Sequence, residues 1–292
     1  MNTHPFLPER PRVALVATGR VGTAVAVLLR RAGCEIAGVW SRSAPSAKRA
    51  HELLDAPLLD LTVPCEADLI LVGASDPAIP DVASLLVPTV TDGTVVAHLS
   101  GSLGTAALQP VAERGALALA LHPVQACPDV KTAIERLPGS AWGITTASEL
   151  HPWIDHIVRD LLDGNPVHVN ESDRPLWHAA CVMTSNGIAA LMAFGESVLA
   201  RLGIPEPEKV LGPLAAGTVA NASEGGGGGT TLTGPVVRGE TETLERHIEA
   251  LRQQAPELVG GYALAVRMIL DAARDHSRID ATTADRIEGL LP

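Results

Sequence analysis

Short β-branched runs and helical segments alternate from residue 12 to about residue 170, and then the alternation stops. The sequence predicts strands over Val13–Val16, Ile36–Trp40, Leu69–Val72, 94–99, 116–121, Ala141–Thr145 and 167–169. Helical patterns fall between them over 21–31, 46–54, 79–86, 106–114 and 149–162. Strands this uniformly apolar are buried on both faces, so a mostly parallel sheet covered by helices on either side is expected. After Asn170 only helical patterns remain, over 173–202, 207–223, 241–253, 257–276 and 282–291. The expectation is an α/β chain of two domains, residues 1–170 forming a doubly wound sheet and residues 171–292 an all-α domain. The run Gly225–Gly229 reads as a mobile loop.

The first strand leads into Ala17-Thr18-Gly19-Arg20-Val21-Gly22 and a helix. A Rossmann fingerprint is G-x-G-x-x-G in this context, its glycines serving a tight turn, close approach to a pyrophosphate, and helix–strand packing. Gly19 and Gly22 fill the last two places and Ala17 stands in the first. The backbone of Gly19, Arg20, Val21 and Gly22 is therefore the expected phosphate cradle. A sheet that kept this shape and lost its ligand is the competing reading. Beyond the second strand comes Ser41-Arg42-Ser43. An acidic residue there would bind a ribose 2′-hydroxyl, whereas an arginine fork flanked by hydroxyls suits a 2′-phosphate, pointing to NADP. After the third strand, Ser75 and Asp76 lie where a cofactor ribose would pass, and Asp76 before Pro77 equally suits a turn.

Two further strand ends carry chemistry. One runs His98-Leu99-Ser100-Gly101-Ser102, the other Leu121-His122-Pro123-Val124-Gln125. Hydride transfer to C=O or C=N needs a proton donor beside the growing negative charge, and histidine suits that role. His122 is the candidate, with Ser100 to orient the reacting oxygen and Gln125 to bind substrate. His98 reads as a structural hydrogen-bonding group, and His122 has the same alternative. Residues Pro175–Gly195 are 21 positions without an acidic or basic side chain, yet they contain His178, Ser185 and Asn186. A helix buried inside protein is expected rather than a membrane span. His178 and Asn186, eight apart, share one face with Ser185 adjacent; they either meet another helix or face the site. Arg238, in a glycine-bounded loop, is placed to hold a substrate carboxylate or to pair with a neighbouring acid.

With 22 basic against 33 acidic side chains the net charge is −11, and only seven residues are aromatic. That excludes the basic stripe and stacking platform of a nucleic-acid binder and disfavours anionic membranes. The four cysteines form no CxxC pair and the histidines no metal-binding spacing, so reduced thiols and no metal are expected. The segment MNTHPFLPERPR lacks the apolar stretch of a signal peptide, so a cytoplasmic protein is expected.

The blocks VATGRVGTA, SRS, ASDPAI, HLSGSLG, LHPVQ, RPLWHAACVMTSN and LTGPVVRGE occur in this order across most of residues 12–265. They resemble an uncharacterised group of bacterial Rossmann-like proteins whose second half is a domain of unknown function, related to the C-terminal fold of 6-phosphogluconate dehydrogenase. The superfamily includes NADP-dependent ketopantoate reductases, pyrroline-5-carboxylate reductases and prephenate dehydrogenases. Prephenate dehydrogenases carry a serine after one strand and a His-Pro after the next. Ser100 and His122, 22 apart, occupy those places, which by likeness makes His122 the proton donor or acceptor. Ketopantoate reductases carry a lysine and an asparagine eight apart on the first long helix. His178 and Asn186 stand there, with no lysine. Relatives usually have glycine where Ala17 stands and often aspartate where Glu240 stands. The resemblance implies an NADP-dependent reductase of a small carboxylate-bearing 2-oxo acid, of ketopantoate type, working as a homodimer through the helical domain. An imine reductase or alcohol dehydrogenase is the first alternative, and a non-catalytic dinucleotide sensor or scaffold the second.

Overall fold

A computed structural model describes residues 7–292. The sequence reading of MNTHPFLPERPR falls partly on residues 1–6, which lie outside the described residues. The chain folds into two compact units, one ending at Met183 and a second, Thr184–Pro292.

The first unit is built on seven strands: β1 (Val13–Val16), β2 (Ile36–Trp40), β3 (Leu69–Val72), β4 (Val95–His98), β5 (Leu117–Pro123), β6 (Ala141–Thr145) and β7 (Asn165–His168). They lie in the order β2-β1-β3-β4-β5-β6-β7. All neighbours are parallel except β5 and β6, which pair antiparallel with His122 opposite Gly143. A single parallel bridge, Val39 to Leu58, adds a rudimentary strand outside β2. Side chains of successive strand residues enter two different cores, as the period of two demands. Val13 and Leu15 pack in one with helix α1 (Arg20–Arg31), while Ala14 and Val16 pack in the other with α3 (Ile79–Leu85). The sheet is therefore covered on both faces.

The remaining helices of this unit are α2 (Ala44–Leu54), the short α4 (Gln109–Ala112), α5 (Val130–Arg136) and α6 (His151–His156). Helix α5 was absent from the sequence expectations. Its signal is local: the Asp129 carboxylate accepts the Thr132 N–H at 2.8 Å, a side-chain N-cap. The order reverses on either side of β1, between β2 and β3, and that switch point is where ligands bind in open α/β sheets.

The second unit is all helical. The C-terminal part of α7 (Arg174–Arg201) is followed by α8 (Pro207–Glu224), the short α9 (Gly228–Thr231), α10 (Thr241–Gln254), α11 (Val259–Asp275) and α12 (Ala281–Leu290). Its core joins Val236, Leu244, Val266, Leu270, Ala284 and Ile287. Two expectations are corrected here. The glycine run forms a turn and the helical turn α9, because the Thr230 and Thr231 hydroxyls bond back to the carbonyls of Gly225, Gly227 and Gly228. Arg278 secures the segment further by donating to the Thr230 and Leu232 carbonyls. The long helix α7 is also not buried within the chain: Arg174 is its one buried residue, and Leu191 is 50% exposed. By length and composition the helical stretch Glu171–Arg201 suffices to cross a bilayer. Its polar middle, Thr184-Ser185-Asn186, suits a protein neighbour better than lipid.

Candidate active site

At the switch point the β1–α1 turn is pressed onto the end of β3. Gly19 N–H donates to the Gly73 carbonyl at 3.1 Å. A Cβ on Gly19 would sit 2.1 Å from that carbonyl oxygen, and one on Gly73 would sit 2.3 Å from the Ala17 oxygen. A Cβ on Gly22 would meet Gly73 Cα at 2.8 Å. Backbone meets backbone here, so three glycines are required for packing alone, and Gly73 is the third that the fingerprint did not flag. Ala17 adopts φ 57°, the left-handed conformation that glycine takes without penalty. The tight turn is thus retained with alanine, at a cost of about 1–2 kcal/mol. Helix α1 begins without a side-chain cap and without an acidic residue in its first turn. Its leading N–H groups remain available to an anion.

A cleft of about 330 Å³ opens beside this turn and gathers Gly19, Ser41, Arg42, Ser43, Gly73 and Ser75. Among the described residues the Arg42 side chain has no hydrogen bond or ion pair, so its donor fork is free. The Thr18 hydroxyl, in the turn itself, is buried with no hydrogen-bond partner among the described residues. An uncapped helix start, an orphaned hydroxyl and a free guanidinium in one cleft fit a dinucleotide with an extra phosphate. Other predicted cofactor residues have different surroundings. Gly22 packs inward, Val21 joins the apolar core, and Arg20 donates to the Pro128 carbonyl at 2.7 Å. Asp76 accepts the Ser102 hydroxyl at 2.8 Å and so ties the ends of β3 and β4 together.

The loop after β4 is held at several points. His98 is fully buried; Nε2 faces the Gly104 carbonyl at 2.9 Å and Nδ1 accepts the Ser100 N–H at 3.2 Å. Burial lowers its pKa against the opposing pull of that carbonyl. The Ser100 hydroxyl accepts the N–H groups of Ser102 and Leu103, which makes it an organiser of the loop. Glu171 grips the other end, accepting from the N–H groups of Thr105 and Ala106 and from the Thr105 hydroxyl. Burial opposes the Glu171 charge, but these donors more than offset it and hold its pKa low.

At the end of β5 the first turns of α7 deliver three side chains to one place, at the i, i+3, i+4 spacing of a helix face. The Trp177 indole N–H donates to His122 Nδ1 at 3.1 Å. The His178 ring lies edge-on to His122, with centroids 5.7 Å apart. Arg174 is wholly buried and donates to the Ser100 and Gly143 carbonyls and the Thr145 hydroxyl. No carboxylate pairs with it among the described residues, and its Nε has no partner. Glycines make room for these rings. A Cβ on Gly143 would sit 2.8 Å from the Trp177 indole nitrogen, and one on Gly101 would sit 2.4 Å from His178 Cδ2 and 2.9 Å from His122 Nε2. Burial, then the Arg174 charge, then His178 push the His122 pKa down to about 4, with Asp76 pulling weakly the other way. At neutral pH His122 is therefore an uncharged imidazole. It lies on the same carboxyl edge as the glycine turn, three strands from β1, or about 14 Å at the usual strand spacing.

Arg174, Trp177 and Glu171 were not anticipated from the sequence, although the block RPLWHAACVMTSN contains the first two. The other anticipated substrate contacts have these surroundings. Gln125 spends its amide on the Arg136 carbonyl, the Ser140 hydroxyl and the Ala126 N–H. Ser185 and Asn186 belong to the second unit and are exposed there. Arg238, also in that unit, is exposed and pairs with Glu240 at 2.6 Å, the second of the two roles expected for it.

The chain matches a Rossmann-like domain over residues 2–123 and DUF2520, a domain of unknown function, over residues 140–269. Solved structures share its architecture. A candidate NADP oxidoreductase of Bacteroides fragilis superposes with a TM-score of 0.73 at 22% identity, covering 89% of this chain and 98% of that one. A reductive aminase of Aspergillus terreus, in complex with NADPH and ethyl-5-oxohexanoate, gives 0.59 at 18% identity, covering 96% and 92%. A pyrroline-5-carboxylate reductase of Coxiella burnetii gives 0.57 at 15% identity, covering 97% and 99%. At such identities the likeness establishes the fold. No curated protein matches the chain in sequence.

Proposed function

We propose that this chain, which matches a Rossmann-like domain followed by a DUF2520 domain, is an NADP-dependent oxidoreductase reducing a small carboxylate-bearing 2-oxo acid. The observation that carries the cofactor is the free Arg42 fork, flanked by Ser41 and Ser43, in the cleft beside an uncapped helix start. The uncapped N–H groups of α1 would hold the pyrophosphate, Ser75 would lie on the ribose side of the cleft, and Arg42 would take the 2′-phosphate. That several solved neighbours of this fold hold NADPH supports the same reading.

When bound, NADPH supplies a hydride. Neutral His122 carries its proton on Nε2, beside Gly101, where it would bond the carbonyl oxygen of a bound substrate and stabilise the charge that grows there. A buried imidazole with a pKa near 4 carries no spare proton at neutral pH. The proton that completes the hydroxyl comes from solvent water. Arg174 stiffens the Ser100 and Gly143 backbone on either side of His122. In this proposal His122 acts by polarising the carbonyl.

The exposed apolar flank of the second unit, with Leu191 on α7 and Leu214 on α8, is the surface proposed for a second copy of the chain. Light scattering on a variant with lysine at both positions is expected to report a monomer where the parent is a dimer.

The test of function is a calorimetric titration with NADPH and, separately, NADH. Micromolar NADPH binding, much weaker NADH binding, and loss of that preference in Arg42→Glu are expected. A panel of 2-oxo acids and cyclic imines follows. Absence of binding to either nucleotide overturns the proposal.

A further inference from the structure

We infer that Trp177 is a positioning residue: its indole N–H holds His122 as the imidazole protonated on Nε2, so that the site offers a hydrogen-bond donor suited to an uncharged carbonyl oxygen and unsuited to a protonated imine. The tautomer stands on geometry alone, while the substrate preference rests on the reductase reading above.

An indole nitrogen only donates. Its partner atom, His122 Nδ1 at 3.1 Å, must therefore present a lone pair. In a neutral imidazole the proton then resides on Nε2, the atom beside Gly101. Imidazolium would place a second N–H against the indole N–H, so the same contact opposes protonation. The charged and titratable groups facing His122 add to this. From α7 the buried Arg174 and the edge-on His178 disfavour a positive ring, and from the turn after β3 Asp76 alone favours it.

The indole is held in a slot built for it. Gly143 lies directly opposite His122 across the antiparallel β5–β6 pair, and any Cβ there would collide with the Trp177 ring. The strand pairing that sets His122 in register with Gly143 thereby also opens the space from which Trp177 reaches Nδ1. Arg174, one helical turn earlier on the same face, anchors α7 to the Gly143 carbonyl and fixes the approach.

The consequence is selectivity. A carbonyl oxygen accepts from Nε2–H. A protonated imine nitrogen is itself a donor and meets Nε2–H as donor against donor, with a fixed tautomer unable to relieve the clash.

The test is nitrogen-15 NMR of the intact protein labelled at histidine, with the His122 signals identified by their loss in His122→Gln. From pH 5.5 to 8 the parent is expected to show a proton-free Nδ1 and a protonated Nε2, with no titration in that range. In Trp177→Phe the two nitrogens are expected to shift toward tautomer averaging, and, in titrations of both proteins carried down to about pH 4, protonation of His122 is expected to set in about half to one pH unit higher than in the parent. Gly143→Ala, which crowds the indole, is expected to produce the same changes. A proton on Nδ1 in the parent, or an unchanged His122 spectrum in a folded Trp177→Phe protein, overturns the inference.

Substrate profiling separates the two halves. A kcat/KM for 2-oxo acids at least tenfold above that for cyclic imines is expected, and the reverse ranking overturns the selectivity. If the nitrogens show the expected pattern and no carbonyl is reduced, the reductase reading fails while the tautomer assignment stands.

Discussion

Acidification is expected to expose the buried state of His122 as a loss of stability. In the unfolded chain this residue takes up a proton near pH 6.5, and in the folded protein it refuses one until about 4. Between those values unfolding is accompanied by proton uptake, so stability falls as the pH falls through the window. Integrating the two titrations from pH 7.5 to 4.5 gives a loss of about 2.5 kcal/mol from this residue alone. His98, also buried and lowered, adds in the same direction. Many carboxylates titrate near the acid end, so the slope of the parent protein by itself is not diagnostic. The informative quantity is the difference between parent and His122→Gln, whose side-chain oxygen still accepts the Trp177 N–H and carries no charge. Urea unfolding of both proteins at half-unit steps gives that difference directly. It is expected to be flat above pH 7 and to change by about 2–3 kcal/mol down to pH 4.5. Coincident slopes across that range would falsify the assignment of His122 as a buried neutral ring.

Ala17→Gly relieves the left-handed strain of the β1–α1 turn against the greater freedom of glycine when unfolded; a net gain of about 0.5–1 kcal/mol in urea is expected, and a loss would show that Ala17 carries no strain. Gly73→Ala is expected to cost more than about 3 kcal/mol, because its Cβ would enter the Ala17 carbonyl. Gly217→Ala, in open space on α8, is expected to gain about 0.5–1 kcal/mol in the same assay. Arg174→Met leaves Ser100 O, Gly143 O and Thr145 Oγ1 without their donor, for a loss of about 2–4 kcal/mol. The same variant removes a positive charge facing His122 and is expected to raise its NMR midpoint.

Much of the fold is legible in the sequence. Strand residues such as Val13–Val16 and Leu69–Val72 are apolar without interruption because both faces are buried, and that pattern is written locally. Gly19 and Gly22 were legible too, since a turn from strand to helix needs them. Helix α5 was missed because it has seven residues and one cap, too short for periodicity to register. The burial of α7 was misjudged for the opposite reason: apolar composition states that a surface needs a partner and not which one. Arg238 offered two partners on the page of the sequence, and only the fold put Glu240 on its guanidinium.

The candidate site divides the same way. Sequence alone determined the strand-end positions of Ser100 and His122 and the serine-flanked Arg42, because each depends on a segment of a few residues. Tertiary structure decided what those residues are. Trp177 reaches His122 across 55 residues and Arg174 reaches Ser100 across 74, and the rings of Trp177 and His178 fit only because Gly143 and Gly101 come to face them in the assembled fold. Whether a histidine is charged, and on which nitrogen it keeps its proton, follows from burial and from the groups around it. Those surroundings form only when the chain has closed.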